Sequence, residues 1–188
     1  VSNRLVVNYP WLRATNKRLA VSIMGQPNEP SRLLFNLIER IGAVIETDKR
    51  QITNRELLAL CAVSEIETFS TDPHLCHEIA ETALNNLVRT KYGKPLLDSV
   101  DPASACSEVL RPLQKRLPTQ TWRSSAQITF QQFSTPAPIA FLAAYLLDLK
   151  GNDIVLEPSC GTGSLAVWAL AAGTNVVTNE IDATRSEL

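Results

Sequence analysis

Three short stretches toward the C-terminal end carry residue types that could do chemistry together. Pro158-Ser159-Cys160-Gly161-Thr162-Gly163 places two glycines in a tight loop, Glu157 stands immediately before it, and Glu180 follows Gly161 by 19 residues. A glycine corner between a strand and a helix brings bare backbone and unpaired N–H groups to a ligand, because a Cβ there would push the ligand away or strain the turn. An acidic residue at the tip of the next strand can accept hydrogen bonds from both hydroxyls of a ribose. A dinucleotide site competes on these residues, since Gly161-Thr162-Gly163-Ser164-Leu165-Ala166 fits the GxGxxA form of that fingerprint. Two features weigh against it. The Glu157 carboxylate would repel a pyrophosphate and suits a ligand with an ammonium group. In addition, a helix with its own Phe-Ser-Thr-Pro start precedes the first strand, where a dinucleotide unit usually begins with the strand.

The elements that must position these residues follow from periodicity and caps. Thr135 is expected to cap a helix whose first residue is Pro136, with Ile139, Leu142, Tyr145, Leu146 and Leu149 on its apolar side and Gly151-Asn152 as its stop. Asp153 to Glu157 reads as a short buried strand. Ser164 to Ala172 reads as an Ala-rich helix stopped by Gly173, and Asn175 to Thr178 as the next strand. This β-α-β unit requires parallel strands. The earlier residues read as helical. Ser31 can cap a helix with Leu33, Leu34, Leu37, Ile38, Ile41, Val44 and Ile45 at helical spacing; Thr53 to Glu56 is a capping box; Asp72-Pro73 starts a longer helix through Val88 that Gly93 and Pro95 end; another helix spans Ala103 to Arg116. Leu5-Val6-Val7 reads as a short strand. The polar stretch after Pro118 marks the change of rhythm. The expected organisation is a helical domain over 1–117 of unstated role, a linker over 118–130, and an α/β portion over 131–188.

The chain of 188 residues is 45% hydrophobic and 20% charged, which supports a globular core and not disorder. Its net charge is −1, which argues against a generic nucleic-acid-coating protein, yet residues 1–125 hold 16 Lys/Arg against 13 Asp/Glu while residues 126–188 hold 2 against 6. Arg111, Lys115, Arg116 and Arg123 could meet phosphate, although a solvated basic face is the simpler reading. Cys61, Cys76, Cys106 and Cys160 form no CxxC pair, so reduced thiols in a cytoplasmic protein are the default. His74, Cys76 and His77 lack regular metal-ligand spacing, and no metal is expected. No apolar run reaches membrane-spanning length. The chain opens on Val1 and closes on Leu188 inside what reads as a continuing helix, which predicts a piece of something longer.

Taken together, Gln132-Phe133-Ser134-Thr135-Pro136, Leu156-Glu157-Pro158-Ser159-Cys160-Gly161-Thr162-Gly163 and Asn179-Glu180-Ile181-Asp182 resemble the opening motifs of the amino-group DNA methyltransferases. More narrowly, the stretch from Leu117-Pro118-Thr119-Gln120-Thr121 through these motifs to Arg185 resembles the methylase region of large bacterial methylase–helicase proteins of the strawberry-notch type. The resemblance covers roughly residues 117–188 and implies a partial Rossmann-like class I methyltransferase fold binding S-adenosylmethionine. It implies that Phe133, Ser134 and Thr135, with Pro136, line the methionine end of the cofactor. Glu157 would hold the amino group. Pro158, Gly161 and Gly163 would shape the loop so that backbone approaches the ligand, and Cys160 would be a small wall of the pocket and not a nucleophile. Glu180 would bind the ribose and Ile181 would pack on the adenine. DNA and the remainder of the methyltransferase–helicase chain are the implied partners.

One departure matters. The family places an Asn/Asp-Pro-Pro-aromatic motif after its fourth strand to receive the amino group of a flipped base. No Pro-Pro dipeptide occurs here, so no catalytic residue is assigned and these residues are not expected to methylate by themselves. The activity, transfer of a methyl group to an exocyclic amino group in DNA, most readily adenine N6, is an expectation for the parent protein. The competing readings are a methyltransferase acting on protein or a small molecule, a non-catalytic DNA-binding or scaffold module, and an NAD-type oxidoreductase.

Overall fold

The computed structural model describes residues 29–64, 72–120, 133–182 and 185–188. The proposed strand Leu5-Val6-Val7, the residues Gln131, Gln132 and Arg123, and most of the expected linker lie outside them. The chain divides after Arg32, and the larger unit is Leu33–Leu188.

The architecture is mostly helical with a small two-stranded parallel sheet, hence α/β. Helix α1 (Glu29–Thr47) begins before Ser31, which is therefore inside the helix and not its cap; Pro30 has a φ already suited to a first turn. Helix α2 (Asn54–Ala62) starts with the expected capping box: Glu56 N–H donates to Thr53 Oγ1 at 3.2 Å, and Thr53 N–H donates to Glu56 Oε2 at 2.8 Å. Asp72 caps α3 (Pro73–Leu87), its Oδ1 accepting from the backbone N–H of His74 at 2.9 Å. Gly93 and Pro95 do not end this helix. It runs on through a π-helical stretch, Val88–Tyr92, into α4 (Gly93–Leu97). Gly93 is where α4 meets the later helix at Ala171, so a Cβ would collide with the Ala171 methyl group. The glycine there serves close approach and does not terminate the helix. A second run joins α5 (Pro102–Ser104), π-helical Ala105–Leu110 and α6 (Arg111–Arg116). Arg116 is not presented to phosphate: its Nη1 donates to the carbonyls of Ile45 at 2.7 Å and Glu46 at 3.1 Å, closing the C-terminal end of α1.

Helix α7 (Ala137–Leu147) starts one residue later than expected. Pro136 takes an extended ψ of 141°, and no side chain of the preceding segment caps the helix. The N–H of Ala137 donates instead to Gln114 Oε1 at 2.9 Å, so α6 sets the start of α7 and the Thr135 hydroxyl does not. The helix stops at Asp148, in the left-handed region at φ 47°, before Gly151 is reached. Strands β1 (Ile154–Glu157) and β2 (Asn175–Thr178) pair in parallel with Ile154 opposite Asn175 and Glu157 opposite Thr178. Helix α8 (Ala166–Ala171) crosses between them, and Gly173 turns the chain at φ 80°. The expectation of a buried β1 fails on one face, where Ile154 and Leu156 are exposed: two strands alone leave that face uncovered among the described residues.

Residues 118–130 do not separate two bodies. One core runs from Leu37 through Leu110 and Leu113 to Phe141 and Trp168, and Leu33–Leu188 is one compact unit. Phe141 and Trp168 are fully buried with ring centroids 5.1 Å apart. A two-stranded sheet with one short crossing helix cannot bury its own faces, so α7 and α8 pack on the earlier helices.

Candidate functional site

Parallel pairing and the α8 crossover fold the loop after β1 back beside the end of β2. The ladder continues past the strands: Asn179 N–H donates to the Glu157 carbonyl at 2.9 Å, and Cys160 N–H donates to the Asn179 carbonyl at 2.9 Å. This fixes the loop 158–163 against residues 179–180. Gly161 and Gly163 both adopt positive φ, 56° and 84°, which favours glycine.

A cavity of about 720 Å³ opens at this corner. Of the eleven residues singled out from the sequence, nine line it: Phe133, Ser134, Thr135, Glu157, Pro158, Cys160, Gly161, Glu180 and Ile181. Pro136 and Gly163 stand outside its lining. Gly163 supports the turn instead, its N–H donating to the Cys160 carbonyl at 2.8 Å. Phe133 and Ile181 are 62% and 75% exposed, so each is a lip of the cavity and neither is a core residue.

Glu157 sits at the floor. It is 9% exposed, and its Oε2 is buried with no hydrogen-bond partner. Burial pushes its carboxyl up to about 7; the backbone N–H of Ala166 opposes the shift and the nearby Glu180 charge adds to it. The Cys160 thiol is raised as well, first by burial and then by Glu157 and Glu180, which keeps it protonated and a poor nucleophile. Glu180 is tied by both oxygens: Gly161 N–H donates to Oε2 at 2.6 Å and Asp182 N–H to Oε1 at 2.9 Å. A carboxylate accepts at about four lone-pair positions, so these two bonds orient it and leave capacity for hydroxyl donors. They also consume the Gly161 N–H that a phosphate would need.

Glycine at 161 answers a neighbour that sequence reading did not foresee. A Cβ there would lie 3.1 Å from Arg185 Nη2 and 3.2 Å from its Cζ. The bare backbone thus accommodates a buried guanidinium, 7% exposed, that also forms part of the cavity wall. Arg185 Nε lies 3.2 Å from Glu78 Oε1 without hydrogen-bond alignment, and Nη2 donates to Ser134 Oγ at 3.4 Å.

Helix α3 supplies the shell behind the loop. Ser134 Oγ donates to Glu81 Oε2 at 2.5 Å, and Asn85 Nδ2 donates to the Thr162 carbonyl at 2.8 Å. Burial pushes Glu78 up to about 7 against the pull of Arg185, with Glu81, Asp182 and Asp72 adding to the rise. Glu81 is raised by burial, opposed by Ser134, Arg185 and Thr162. The signal for these residues was available: Glu78, Glu81 and Asn85 stand at i, i+3 and i+7, a polar stripe on a helix that buries Leu75, Ile79, Ala83 and Leu84. Among the described residues no group of three or more His, Cys, Asp or Glu could hold a metal ion, and no helix is long and apolar enough to cross a membrane.

The chain matches no protein-family model, no curated protein and no solved structure.

Proposed function

We propose that this chain carries the cofactor-binding part of an S-adenosylmethionine-dependent methyltransferase that acts on an exocyclic amino group in DNA, most readily adenine N6. The observation that carries the reading is the buried, unpartnered Oε2 of Glu157, a residue that lines the same cavity as Phe133, Ser134, Thr135 and Glu180. A buried acceptor without a donor costs stability, about 1–3 kcal/mol and more for a charged group, unless a ligand supplies the donor. An ammonium group does so; a pyrophosphate does not. The cavity volume of about 720 Å³ falls in the range of small-molecule sites.

S-adenosylmethionine supplies an activated methyl group on a sulfonium. The residues here bind and orient it. Glu157 receives the ammonium, and Glu180, held by the N–H groups of Gly161 and Asp182, receives ribose hydroxyls. Phe133 and Ile181 flank the opening and exclude water from the bound molecule. Holding the methyl group in line with an incoming amino nitrogen is a positioning effect. The acceptor side, with a flipped base, the DNA strand and a helicase further along the parent protein, belongs to the resemblance of residues 117–188 and supports a cytoplasmic DNA-modifying role.

Titration calorimetry of the chain with S-adenosylmethionine, S-adenosylhomocysteine and NAD tests the cofactor. Saturable heat with the first two and none with NAD is expected; NAD binding, or no binding of S-adenosylmethionine, overturns the reading. Incubating the full-length protein with methyl-labelled S-adenosylmethionine and duplex DNA tests the acceptor. Label recovered in N6-methyladenine supports DNA, and label in protein or a small molecule refutes it.

A further inference from the structure

Arg185 is the one basic side chain among the described residues that line the cavity; the other charged groups there are Glu157 and Glu180. It is built into the wall and does not hang over it. Its side chain is 7% exposed, it is paired with Glu78 from α3, and it packs against Gly161 so closely that a Cβ there would lie 3.1 Å from Nη2. A guanidinium carries five donors in a planar fork. Here the donors are poorly used: Nε is buried without an aligned acceptor, and the bond from Nη2 to Ser134 Oγ is long at 3.4 Å. An arginine kept so dry with donors to spare calls for a planar acceptor, and a carboxylate matches the fork with two parallel bonds.

The complementary charge stands at the same corner. Glu157 lines the cavity from the end of β1, and Arg185 lines it where it lies over Gly161. Buried groups of opposite sign thus line one cavity, each with an unmet hydrogen-bonding atom. The small molecule that presents an ammonium and a carboxylate on one carbon is an α-amino acid. We propose that Arg185 binds the α-carboxylate of the ligand's amino-acid end while Glu157 binds its ammonium, so that the site selects a zwitterion. The proposal rests on the reading that the cavity takes S-adenosylmethionine and adds a residue and a selectivity to it. Glu78 orients the guanidinium and keeps it from being a bare buried charge.

A ligand–variant cycle distinguishes direct contact from support of the loop. The full chain and its Arg185→Gln variant are titrated calorimetrically with S-adenosylmethionine and with its decarboxylated counterpart. If Arg185 touches the carboxylate, the affinity ratio of the two ligands falls by about 10- to 100-fold in the variant, the range for a charge-assisted pair, and the decarboxylated ligand binds both proteins within about threefold. If Arg185 only supports Ser134 and the Gly161 corner, both ligands weaken together, the ratio stays constant, and the proposal is overturned. Should Arg185→Gln fail to fold, Arg185→Lys keeps a charge beside Glu78 without the planar fork; a fall in the ratio of about fivefold is then expected, and an unchanged ratio overturns the proposal. Wild-type protein that binds neither ligand sinks the cofactor reading itself, a result distinct from an unchanged ratio.

Discussion

Replacing Glu157 with Gln should stabilise the fold at alkaline pH while it weakens the ligand. The side chain is 9% exposed, its Oε2 has no partner, and burial raises its carboxyl from 4.5 to about 7. The groups that face it are the Ala166 N–H, which favours the charge, and Glu180, which disfavours it; Cys160 lies beside both carboxylates. Because the folded chain holds this proton more tightly than the unfolded chain, the associated stability is fully present below the unfolded value of 4.5 and is lost as pH rises through about 7. At ~1.4 kcal/mol for each tenfold change in proton affinity, the ionised side chain costs the native state about 3 kcal/mol by pH 8. Gln keeps the shape without the charge. Glu157→Gln should therefore gain about 2–3 kcal/mol over wild type at pH 8 and almost nothing at pH 4.5. In a domain of this size the gain corresponds to a rise in Tm of roughly 5–10 °C.

Urea denaturation of both proteins at pH 4.5 and pH 8 measures the difference directly. The same variant should bind S-adenosylmethionine about 10- to 100-fold more weakly, the loss of one charge-assisted bond. Opposite signs for stability and binding are the signature of a group kept for a ligand at the expense of the fold. A variant no more stable than wild type at pH 8, or equally stabilised at both pH values, would refute the reasoning, because the Glu157 charge would then be satisfied within the protein.

The remaining expectations are narrower. Gly161→Ala should cost about 1–3 kcal/mol, since it meets both a φ of 56° and Arg185 at 3.1 Å; Gly151→Ala, whose Cβ would meet only the Gly173 carbonyl at an ordinary 3.6 Å, should be near neutral in the same thermal melts. Asn85→Ala removes the buried bond to the Thr162 carbonyl and should cost about 1–3 kcal/mol in chemical denaturation, with weaker binding of S-adenosylmethionine by calorimetry although Asn85 lies outside the cavity lining. Thr53→Ala breaks the capping box of α2 and should cost about 1 kcal/mol without changing ligand affinity.

The β-α-β unit and its parallel pairing were legible because two short apolar runs flank a glycine loop and an Ala-rich helix, and right-handed crossover leaves little choice. The capping box at Thr53 and the Asp72-Pro73 start were legible because both are local. The errors came where tertiary packing overrode local chemistry. Gly93 looked like a helix stop, but its missing Cβ admits Ala171 from 78 residues further along the sequence. Thr135 looked like a cap, but Gln114 reached the Ala137 N–H first. The composition shift after Pro118 looked like a domain boundary, whereas Leu33–Leu188 shares one core. At the site, the acid-glycine-acid spacing identified the cavity. Both glycines looked alike in the sequence, yet they have two roles: Gly161 admits Arg185, and Gly163 only turns the chain.

The helical segment's part in the site follows from charge. Glu157 and Glu180 line the cavity at the Gly161 corner, and Glu78 and Glu81 stand behind it with Arg185 as their counterion. Such an excess of buried acid is unfavourable by itself, as the raised carboxyls of Glu157 and Glu78 record. Moving Glu78 and Glu81 away would relieve it, yet α3 is pinned beside the loop by the bonds from Asn85 to Thr162 and from Ser134 to Glu81. Ser134 is the link: it donates to a carboxylate from α3, accepts from Arg185, and carries Phe133 and Thr135 on either side into the cavity wall. Replacing Glu81 would therefore remove the bond that holds Ser134, between Phe133 and Thr135, without touching a ligand. A helix that holds the pocket's rim by a 2.5 Å bond is part of the binding machinery, and a cationic ligand entering the corner relieves the repulsion that the fold otherwise carries.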